Sequence, residues 1–162
     1  MLIYPAIDMY EQKAVRLYKG DYAQMTVYSE NPCAVAQAFK DSGATHIHLV
    51  DLEGAKAGTT PNFGLVKAIK AETGLFCEIG GGIRDMDTIK KYVDAGIDRV
   101  ILGTAAVTSA GFVEEAVKAY GDKSPWALTS RTATLPSKAG PKPPRKRPWT
   151  SPPKCRPLAS GP

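Results

Sequence analysis

The chain has few cysteines and no long apolar run, and both shortages exclude whole classes of protein. Its three cysteines, Cys33, Cys77 and Cys155, are odd in number and have no paired spacing, so the sequence indicates neither a disulfide framework nor a zinc site. No apolar run approaches the roughly 20 residues that a membrane-spanning helix needs. Asp8 and Glu11 interrupt the apolar start of the chain, unlike the long core of a signal peptide. We therefore expect a cytoplasmic protein that binds no metal ion.

Acidic residues are absent from the last quarter of the chain. Residues 1–123 contain 13 Lys+Arg, 16 Asp+Glu and three prolines, whereas residues 124–162 contain 8 Lys+Arg, ten prolines and no acid. The net charge of +5 is therefore the sum of two different segments. The first has an ordinary globular composition, and the second has too little apolar surface to offset the entropy of ordering it. We predict a folded domain over 1–123 and a basic, proline-rich, disordered tail over 124–162.

Four apolar runs typical of buried strands alternate with four stretches of helical periodicity. This alternation predicts an α/β fold with a parallel sheet, whose functional groups lie at the carboxyl ends of the strands. Asp8, Asp51, Gly80 and Gly103 fall at those ends. An open doubly wound sheet and a closed barrel both fit the pattern. The strand candidates are LIYPAID, THIHLVDLEGA, LFCEI and RVILG, with AVRLYKGD as an extended return after the first.

Residues with capping chemistry mark the helix boundaries. Asn31 is a predicted N-cap with Pro32 at the first helical position. Gly74 closes the second helix, and either Asp85 or Asp87 starts the third. These boundaries place a helix in the connection between successive strands.

Two glycine turns follow the third and fourth predicted strands, at Gly80-Gly81-Gly82 and at Gly103-Thr104. Glycine has no Cβ, so its backbone N–H groups can approach an anion closely, and a following helix N-terminus adds a favourable dipole. For either turn alone, a simple strand-to-helix connection is the better interpretation. Because the two turns occupy equivalent positions in successive βα units, we interpret them as one phosphate site.

Four segments follow one another along residues 1–123, in the order PAIDMYEQKAVRLYKGDY, HIHLVDLEGAKAG, EIGGGIRD and RVILGTAAV. In these segments the chain resembles the phosphoribosylformimino aminoimidazole carboxamide ribotide isomerase family of histidine biosynthesis. The resemblance implies a (β/α)₈ TIM barrel, of which this chain would supply the first four βα units, a half-barrel. The related cyclase subunit of imidazole glycerol phosphate synthase usually has Cys-Leu-Asp where this chain has Ala6-Ile7-Asp8, and it lacks the segment VDLEGAKAG, so we favour the isomerase.

The family reaction is an Amadori rearrangement, which converts an aminoaldose to an aminoketose on a ribotide with a phosphate at each end, without a cofactor. Such a reaction needs an acid to open the ribose ring and a base to remove the proton from C2, roles that two carboxyl groups can fill. Asp8 matches one of the two catalytic aspartates of the family and is expected to be the base. Without the resemblance, a structural role for Asp8, capping a helix or binding a backbone N–H, would be the preferred interpretation.

The resemblance also implies contacts to the substrate. His48 is expected to position the substrate, although a structural histidine is the alternative and His46 shares its face by alternation. Arg16 and Asp51 are expected to contact the substrate or else to form a structural ion pair with each other. Arg84 fits either a phosphate contact or a surface role. The expected phosphate-binding residues are Gly81, Gly82, Arg84, Gly103 and Thr104.

After Lys123 the sequence departs from the family. A fifth strand that ends in the second catalytic aspartate is expected there, but SPWALTSRTATLPSKAGPK has neither strand alternation nor a helix face. A one-base shift of the reading frame permits Ile-Ala-Val-Gly-Val-Asp in place of SPWALT, which would put the aspartate where Thr129 stands. We therefore hypothesise a frameshift near codon 123, which sequencing of the DNA would test.

The expected half-barrel has physical consequences. Two unpaired sheet edges and an apolar interior open to water would favour self-association of half-barrels. With one catalytic aspartate, the chain is predicted to be weakly active or inactive. The alternatives are a non-catalytic phosphate-binding module and a fragment of the cyclase subunit. A nucleic-acid-binding role for the basic run PKPPRKRP is disfavoured against a solvated tail, and no membrane partner is expected.

Overall fold

The computed structural model describes residues 2–109 and 111–121 and the backbone of Ala127 and Leu128. Helices alternate with the strands of one sheet, which gives an α/β fold. Apart from residues 127 and 128, the predicted tail lies outside the described residues. The strands are β1 (Ala6–Tyr10), β2 (Lys13–Tyr18), β3 (Asp21–Ser29), β4 (His46–Asp51), β5 (Phe76–Gly80), β6 (Arg99–Leu102) and β7 (Ala127–Leu128); the helices are α1 (Pro32–Asp41), α2 (Leu52–Ala57), α3 (Phe63–Thr73), α4 (Met86–Asp94), α5 (Ala105–Thr108) and α6 (Phe112–Tyr120).

The sheet is mixed, with the strand order β3-β2-β1-β4-β5-β6-β7. β1, β4, β5, β6 and β7 run parallel to one another. β2 and β3 are antiparallel additions beside β1. Strands that are consecutive in the parallel part are also neighbours in the sheet. The connections β4–β5 and β5–β6 are βαβ crossovers, whereas β2 and β3 precede the helix between β1 and β4. The predicted parallel sheet and the extended return after β1 are confirmed.

The helix caps follow the predicted chemistry. Asn31 accepts a 3.1 Å hydrogen bond at Oδ1 from the Ala34 amide, and Pro32 is the first residue of α1. Asp85, not Asp87, is the N-cap of α4, because its Oδ1 accepts a 2.7 Å hydrogen bond from the Thr88 amide. These side chains satisfy amides that the helix itself leaves without partners.

Two strand boundaries differ from the prediction. The second predicted strand continues to Ala55, but β4 ends at Asp51, whose carboxylate accepts the Gly54 amide and starts α2. β1 continues past Asp8 to Tyr10, because β2 pairs with it through Asp8↔Val15 and Tyr10↔Lys13. Asp8 therefore lies in the middle of a strand instead of at its end.

The sheet edges also differ from the prediction. β1 was expected to be an open edge, but from Asp8 onward it is covered by β2. The prediction assigns no strand after Lys123, yet β7 pairs in parallel with β6 through Ile101↔Ala127 and Leu102↔Leu128. Strand pairing uses backbone groups, so an edge such as β6 can recruit a segment without strand alternation in its sequence.

The two faces of the sheet have different environments. One face packs against the helices through fully buried residues such as Ile47, Leu49 and Ile79. Burial of each such side chain contributes roughly 1.5–3 kcal/mol. We name the opposite face of β1, β4, β5 and β6 the open face. It carries two rows in register across the sheet, Ala6↔His48↔Glu78↔Arg99 and Asp8↔Val50↔Gly80↔Ile101.

The predicted apolar interior is wrong for the first of these rows. His48, Glu78 and Arg99 are polar and charged, and they form hydrogen bonds to one another. A charged side chain avoids most of its desolvation cost when it is paired, so this row does not need an apolar partner to cover it.

Candidate functional site

A cavity of about 370 Å³ lies on the open face, where β5 and β6 end. The register Gly80↔Ile101 makes these strand ends neighbours, so the connections that follow them meet at one place. Most of the residues proposed from the sequence lie here. Six of them line the cavity: His48, Gly81, Gly82, Arg84, Gly103 and Thr104.

The glycine turn after β5 has a backbone that only glycine adopts without strain. Gly81 has φ +106° and Gly82 has φ +78°. A Cβ on Gly81 would clash with the carbonyl oxygen of Asp51, and one on Gly82 would clash with the carbonyl oxygen of Thr59. The turn therefore packs directly against the segment that follows β4, and a side chain would push it out of place.

The cavity has the chemistry of an anion site. Within the described residues, the amides of Gly82 and Thr104 donate to no protein acceptor. Arg84 is the one permanently charged residue of the lining, and an arginine presents five N–H donors. Free amides beside a guanidinium group, with no acidic side chain in the lining, favour a phosphate or a similar anion.

Arg84 also has a structural contact. Its Nη2 donates a 3.3 Å hydrogen bond to the carbonyl oxygen of Ala55, and its guanidinium group covers Gly58, leaving no room for a Cβ there. The residue is exposed, so its remaining donors can meet a ligand from solvent. The sequence alternatives of a phosphate contact and a surface role are therefore compatible with each other.

The structure shows which of the two histidines meets the cavity, a choice that their shared strand face left open in the sequence. His48 lines the cavity, and its Nδ1 lies 2.7 Å from Glu78 Oε1. His46 lies outside the lining, against the rings of Tyr4 and Phe76, with both centroid distances 4.8 Å. His48 is therefore the histidine placed to meet a ligand.

Sequence reasoning missed Glu78 and Arg99. Glu78 Oε2 accepts a 2.9 Å hydrogen bond from Arg99 Nη1, so the carboxylate bridges Arg99 and His48. The signal was present in the pattern, because a charged residue interrupts LFCEI and another opens RVILG. Charged residues inside buried-strand runs indicate a face that pairs charges or binds ligand.

Asp8 and Arg16 lie beside the cavity but not in its lining. Asp8 is in register with Val50, which does line it, so the carboxylate is one strand away. Arg16 Nη1 lies 3.7 Å from Asp8 Oδ2, and the two side chains are 68% and 19% exposed. This exposed pair contributes at most about 1 kcal/mol to stability.

Asp51 has a structural environment. It is fully buried, and its carboxylate accepts hydrogen bonds from the Gly54 amide (2.8 Å), the Asn62 side chain (2.9 Å) and the Asn62 amide (3.2 Å). Asp51 therefore does not line the cavity, and of the three expected substrate contacts only His48 does. The alternative of an Arg16–Asp51 ion pair is wrong, because Arg16 pairs with Asp8.

Asn62 connects this carboxylate to the first strand. It is fully buried, and its Oδ1 accepts hydrogen bonds from the amide and the side chain of Gln12, at 3.2 and 3.0 Å. Gln12 belongs to the β1–β2 turn and has φ +62°, an unusual value for a residue with a Cβ. The contacts of Asn62 hold this turn in place and so fix the end of β1 relative to the end of β4.

Two classes of feature are not found in the described part of the chain. No group of three His, Cys, Asp or Glu side chains there is placed to hold a metal ion. No helix within those residues is long and apolar enough to cross a membrane.

The parallel βα units, with a cavity at their strand ends, define an α/β protein. The chain belongs to the histidine biosynthesis protein family, whose model matches residues 2–138. The match extends past Lys123 into the predicted tail. Residues 1–123, from which the resemblance was drawn, lie almost entirely within it, so the family assignment is confirmed.

Curated relatives that are similar to this chain carry a more specific name than the family. A relative from Lactococcus lactis subsp. lactis is 57% identical over 122 residues, which are 75% of this chain and 51% of the relative. One from Oceanobacillus iheyensis is 42% identical over 135 residues, 83% of this chain and 56% of the relative. Both are named 1-(5-phosphoribosyl)-5-((5-phosphoribosylamino)methylideneamino) imidazole-4-carboxamide isomerase. The chain spans about half the length of these relatives.

Proposed function

We propose that this chain is the first half of a (β/α)₈ isomerase of histidine biosynthesis and that its cavity binds one phosphoribosyl end of the substrate. The observation that carries the proposal is the meeting of two glycine turns and Arg84 at the ends of neighbouring parallel strands. The names of the relatives supply the substrate class, a ribotide with two 5-phosphoribosyl groups.

The proposed phosphate contacts divide into backbone and side-chain donors. Gly82 and Thr104 offer amides without protein acceptors among the described residues. Gly81 and Gly103 bring the backbone close to the ligand, and Arg84 supplies the positive charge. Since hydrogen bonds to a charged group contribute about 1.5–3 kcal/mol each, a few of these donors suffice for binding in the micromolar to millimolar range.

Asp8 is the proposed base of the isomerisation. Its position beside Val50 puts the carboxylate next to the cavity that would hold the phosphoribosyl group. Arg16 Nη1, 3.7 Å from Asp8 Oδ2, orients the carboxylate, and His48 contacts the substrate from the lining of the cavity. Position 129, where the second catalytic aspartate of the family is expected, holds a threonine in this chain, so we propose at most weak turnover.

A second candidate function is phosphate binding without turnover, by the chain alone or by self-associated half-barrels. The observation that favours it is the placement of Asp8 outside the lining of a cavity that is otherwise complete for an anion. A fragment of the related cyclase subunit remains the alternative within the family. The cytoplasmic location and the frameshift stay predictions from the sequence.

Titration calorimetry with inorganic phosphate tests the binding proposal. Arg84→Gln is expected to weaken binding about tenfold, equivalent to about 1.4 kcal/mol, because it removes the one charge of the lining. Lys118→Gln, which removes a charge from exposed α6, is the matched control and should bind like the parent chain. Equal affinities of the two variants would refute the proposed site.

An isomerisation assay separates the two candidate functions. It uses the purified chain from a host that lacks its own isomerase. Ligand binding with weak turnover that disappears in Asp8→Asn supports the isomerase. Binding with no turnover supports the phosphate-binding module. Turnover as fast as that of a full-length relative would contradict the proposed weak activity.

A further inference from the structure

The row Ala6↔His48↔Glu78↔Arg99 suggests a function for the two charged residues that the proposed reaction does not use. We infer that Glu78, held by Arg99, fixes His48 as a hydrogen-bond acceptor towards the cavity, where it receives a hydroxyl group of the ligand. This inference deepens the proposed function and rests on its phosphate site. Glu78 and Arg99 are positioning residues, since they act on the ligand through His48.

The first step is the location of the proton between His48 and Glu78. Arg99 Nη1 donates to Glu78 Oε2 at 2.9 Å, and a guanidinium group stays protonated at any ordinary pH. Glu78 thus accepts from Arg99, and a carboxylate in its ionised form can only accept hydrogen bonds. The 2.7 Å contact between Glu78 Oε1 and His48 Nδ1 then requires the proton to lie on Nδ1.

The second step is the rigidity of this arrangement. The side chain of Glu78 is only 11% exposed, and that of Arg99 is 24% exposed. The Arg99 guanidinium group also lies over the rings of Phe76 and Tyr4, at 5.4 and 5.8 Å from their centroids. Stacking of this kind restrains the guanidinium plane, so Glu78 has a fixed partner and little water to replace it.

The third step concerns the free ring nitrogen. With Nδ1 bound to Glu78, His48 Nε2 has no hydrogen-bond partner among the described residues. In the neutral ring Nε2 carries a lone pair and accepts a hydrogen bond. A phosphate oxygen would be repelled by this lone pair, whereas a hydroxyl group would donate to it.

The cavity thus has two ends of different chemistry. Gly82, Thr104 and Arg84 present donors for an anion, and His48 presents an acceptor. A ligand that satisfies both is a phosphorylated sugar with a free hydroxyl group, and inorganic phosphate satisfies only the first. His48 would in this way select for the sugar without competing for the phosphate.

The variant Glu78→Gln distinguishes positioning from simple packing, because it is nearly isosteric. Arg99 can only donate, so it holds the amide oxygen of the new glutamine and turns the NH₂ group towards His48. An NH₂ group needs an acceptor at Nδ1, so the proton of His48 moves to Nε2. We expect the tautomer to reverse while the fold is retained.

Nitrogen-15 NMR of the imidazole rings reads the tautomer directly. The chain has only two histidines, so His46→Asn assigns the signals of His48. In alkaline buffer without ligand, the parent chain should show a protonated Nδ1 and an unprotonated Nε2. Glu78→Gln should reverse them, and Glu114→Gln on exposed α6 should not. A proton on Nε2 in the parent chain, or a ring that stays doubly protonated, would overturn the inference without any variant.

The hydroxyl contact is tested with ribose 5-phosphate and inorganic phosphate at saturation. Ribose 5-phosphate should shift the Nε2 resonance of His48, and inorganic phosphate should leave it in place. Equal shifts, or no shift with bound ribose 5-phosphate, would overturn the contact. If neither compound binds by calorimetry, the proposed phosphate site fails and the contact with it. The tautomer is still judged from the ligand-free spectrum, so the two failures are distinguishable.

Discussion

The substitution Gly82→Ala tests whether the glycine turn is required by its surroundings or only by its backbone angle. Gly82 and Gly96 have nearly the same φ, +78° and +80°. A Cβ on Gly96 would meet nothing within 4 Å, whereas one on Gly82 would clash with the carbonyl oxygen of Thr59 and with the backbone of Gly54. The two alanine variants therefore share the cost of the backbone conformation and differ in the clash.

The expected free energies follow from these two contributions. A left-handed conformation costs a residue with a Cβ roughly 1–2 kcal/mol, and the stiffer unfolded chain returns about 0.4–1 kcal/mol. Gly96→Ala should thus lower the free energy of unfolding by about 1 kcal/mol. Overpacking adds roughly 1–3 kcal/mol, so Gly82→Ala should lose about 3 kcal/mol in total.

Urea unfolding followed by circular dichroism measures the stability, and calorimetry with inorganic phosphate measures the site. Gly82→Ala should lose phosphate binding under conditions where it is still folded, because the clash displaces the amide of residue 82. Gly96→Ala lies away from the cavity and should bind like the parent chain. Equal stability losses, or unchanged binding in Gly82→Ala, would refute the reasoning.

Three further predictions concern single buried or capping groups. A hydrogen bond from the Thr88 amide lowers the pKa of Asp85 below its usual 3.8, so the cap stabilises the fold fully above about pH 4 and this contribution is lost as the pH falls through the folded-state pKa. Asp85→Asn should keep the cap and reduce the loss of stability in urea titrations between pH 4 and 2. A pH dependence as steep as that of the parent chain would contradict the prediction. Tyr92 buries a hydroxyl without a partner among the described residues, so Tyr92→Phe should leave the free energy of unfolding, measured in urea, unchanged or raise it by up to about 1 kcal/mol. A clear loss would argue for a missed partner. Burial raises the pKa of Cys77 to about 11, so at pH 8 it should react with a thiol reagent only after denaturation, as mass spectrometry of labelled peptides would show; labelling in the folded state as fast as at Cys33 would contradict this.

The sequence was a good guide where the chemistry is local. Asn31 and Asp85 cap helices because a short polar side chain reaches amides two or three residues ahead, which depends on no distant contact. The glycine turn at Gly81 and Gly82 was equally readable, since few other residues adopt positive φ. The sequence therefore located this turn from residue type alone, whereas His48 and Arg84 were proposed from the family resemblance.

The sequence was a weaker guide where a contact depends on neighbours that are distant along the chain. Asp51 was proposed as a substrate contact or as an ion-pair partner of Arg16, and its hydrogen bonds to Asn62, eleven residues away, were not foreseen. Glu78 and Arg99 were overlooked because the pairing of a charged residue inside a strand run is decided by register, 21 residues apart in their case. Alternation shows which face a residue is on, but it does not show which residues meet there.

The contacts of Asn62 have a consequence for how the sequence can change over time. One amide group joins the β1–β2 turn at Gln12 to the carboxylate of Asp51, and the backbone of Asp51 in turn lies directly against Gly81. None of these three side chains lines the cavity, yet a substitution at one of them removes a hydrogen bond from another. We therefore expect positions 12, 51 and 62 to vary together among relatives, because their hydrogen bonds support the glycine turn beside the cavity although none of the three side chains lines it.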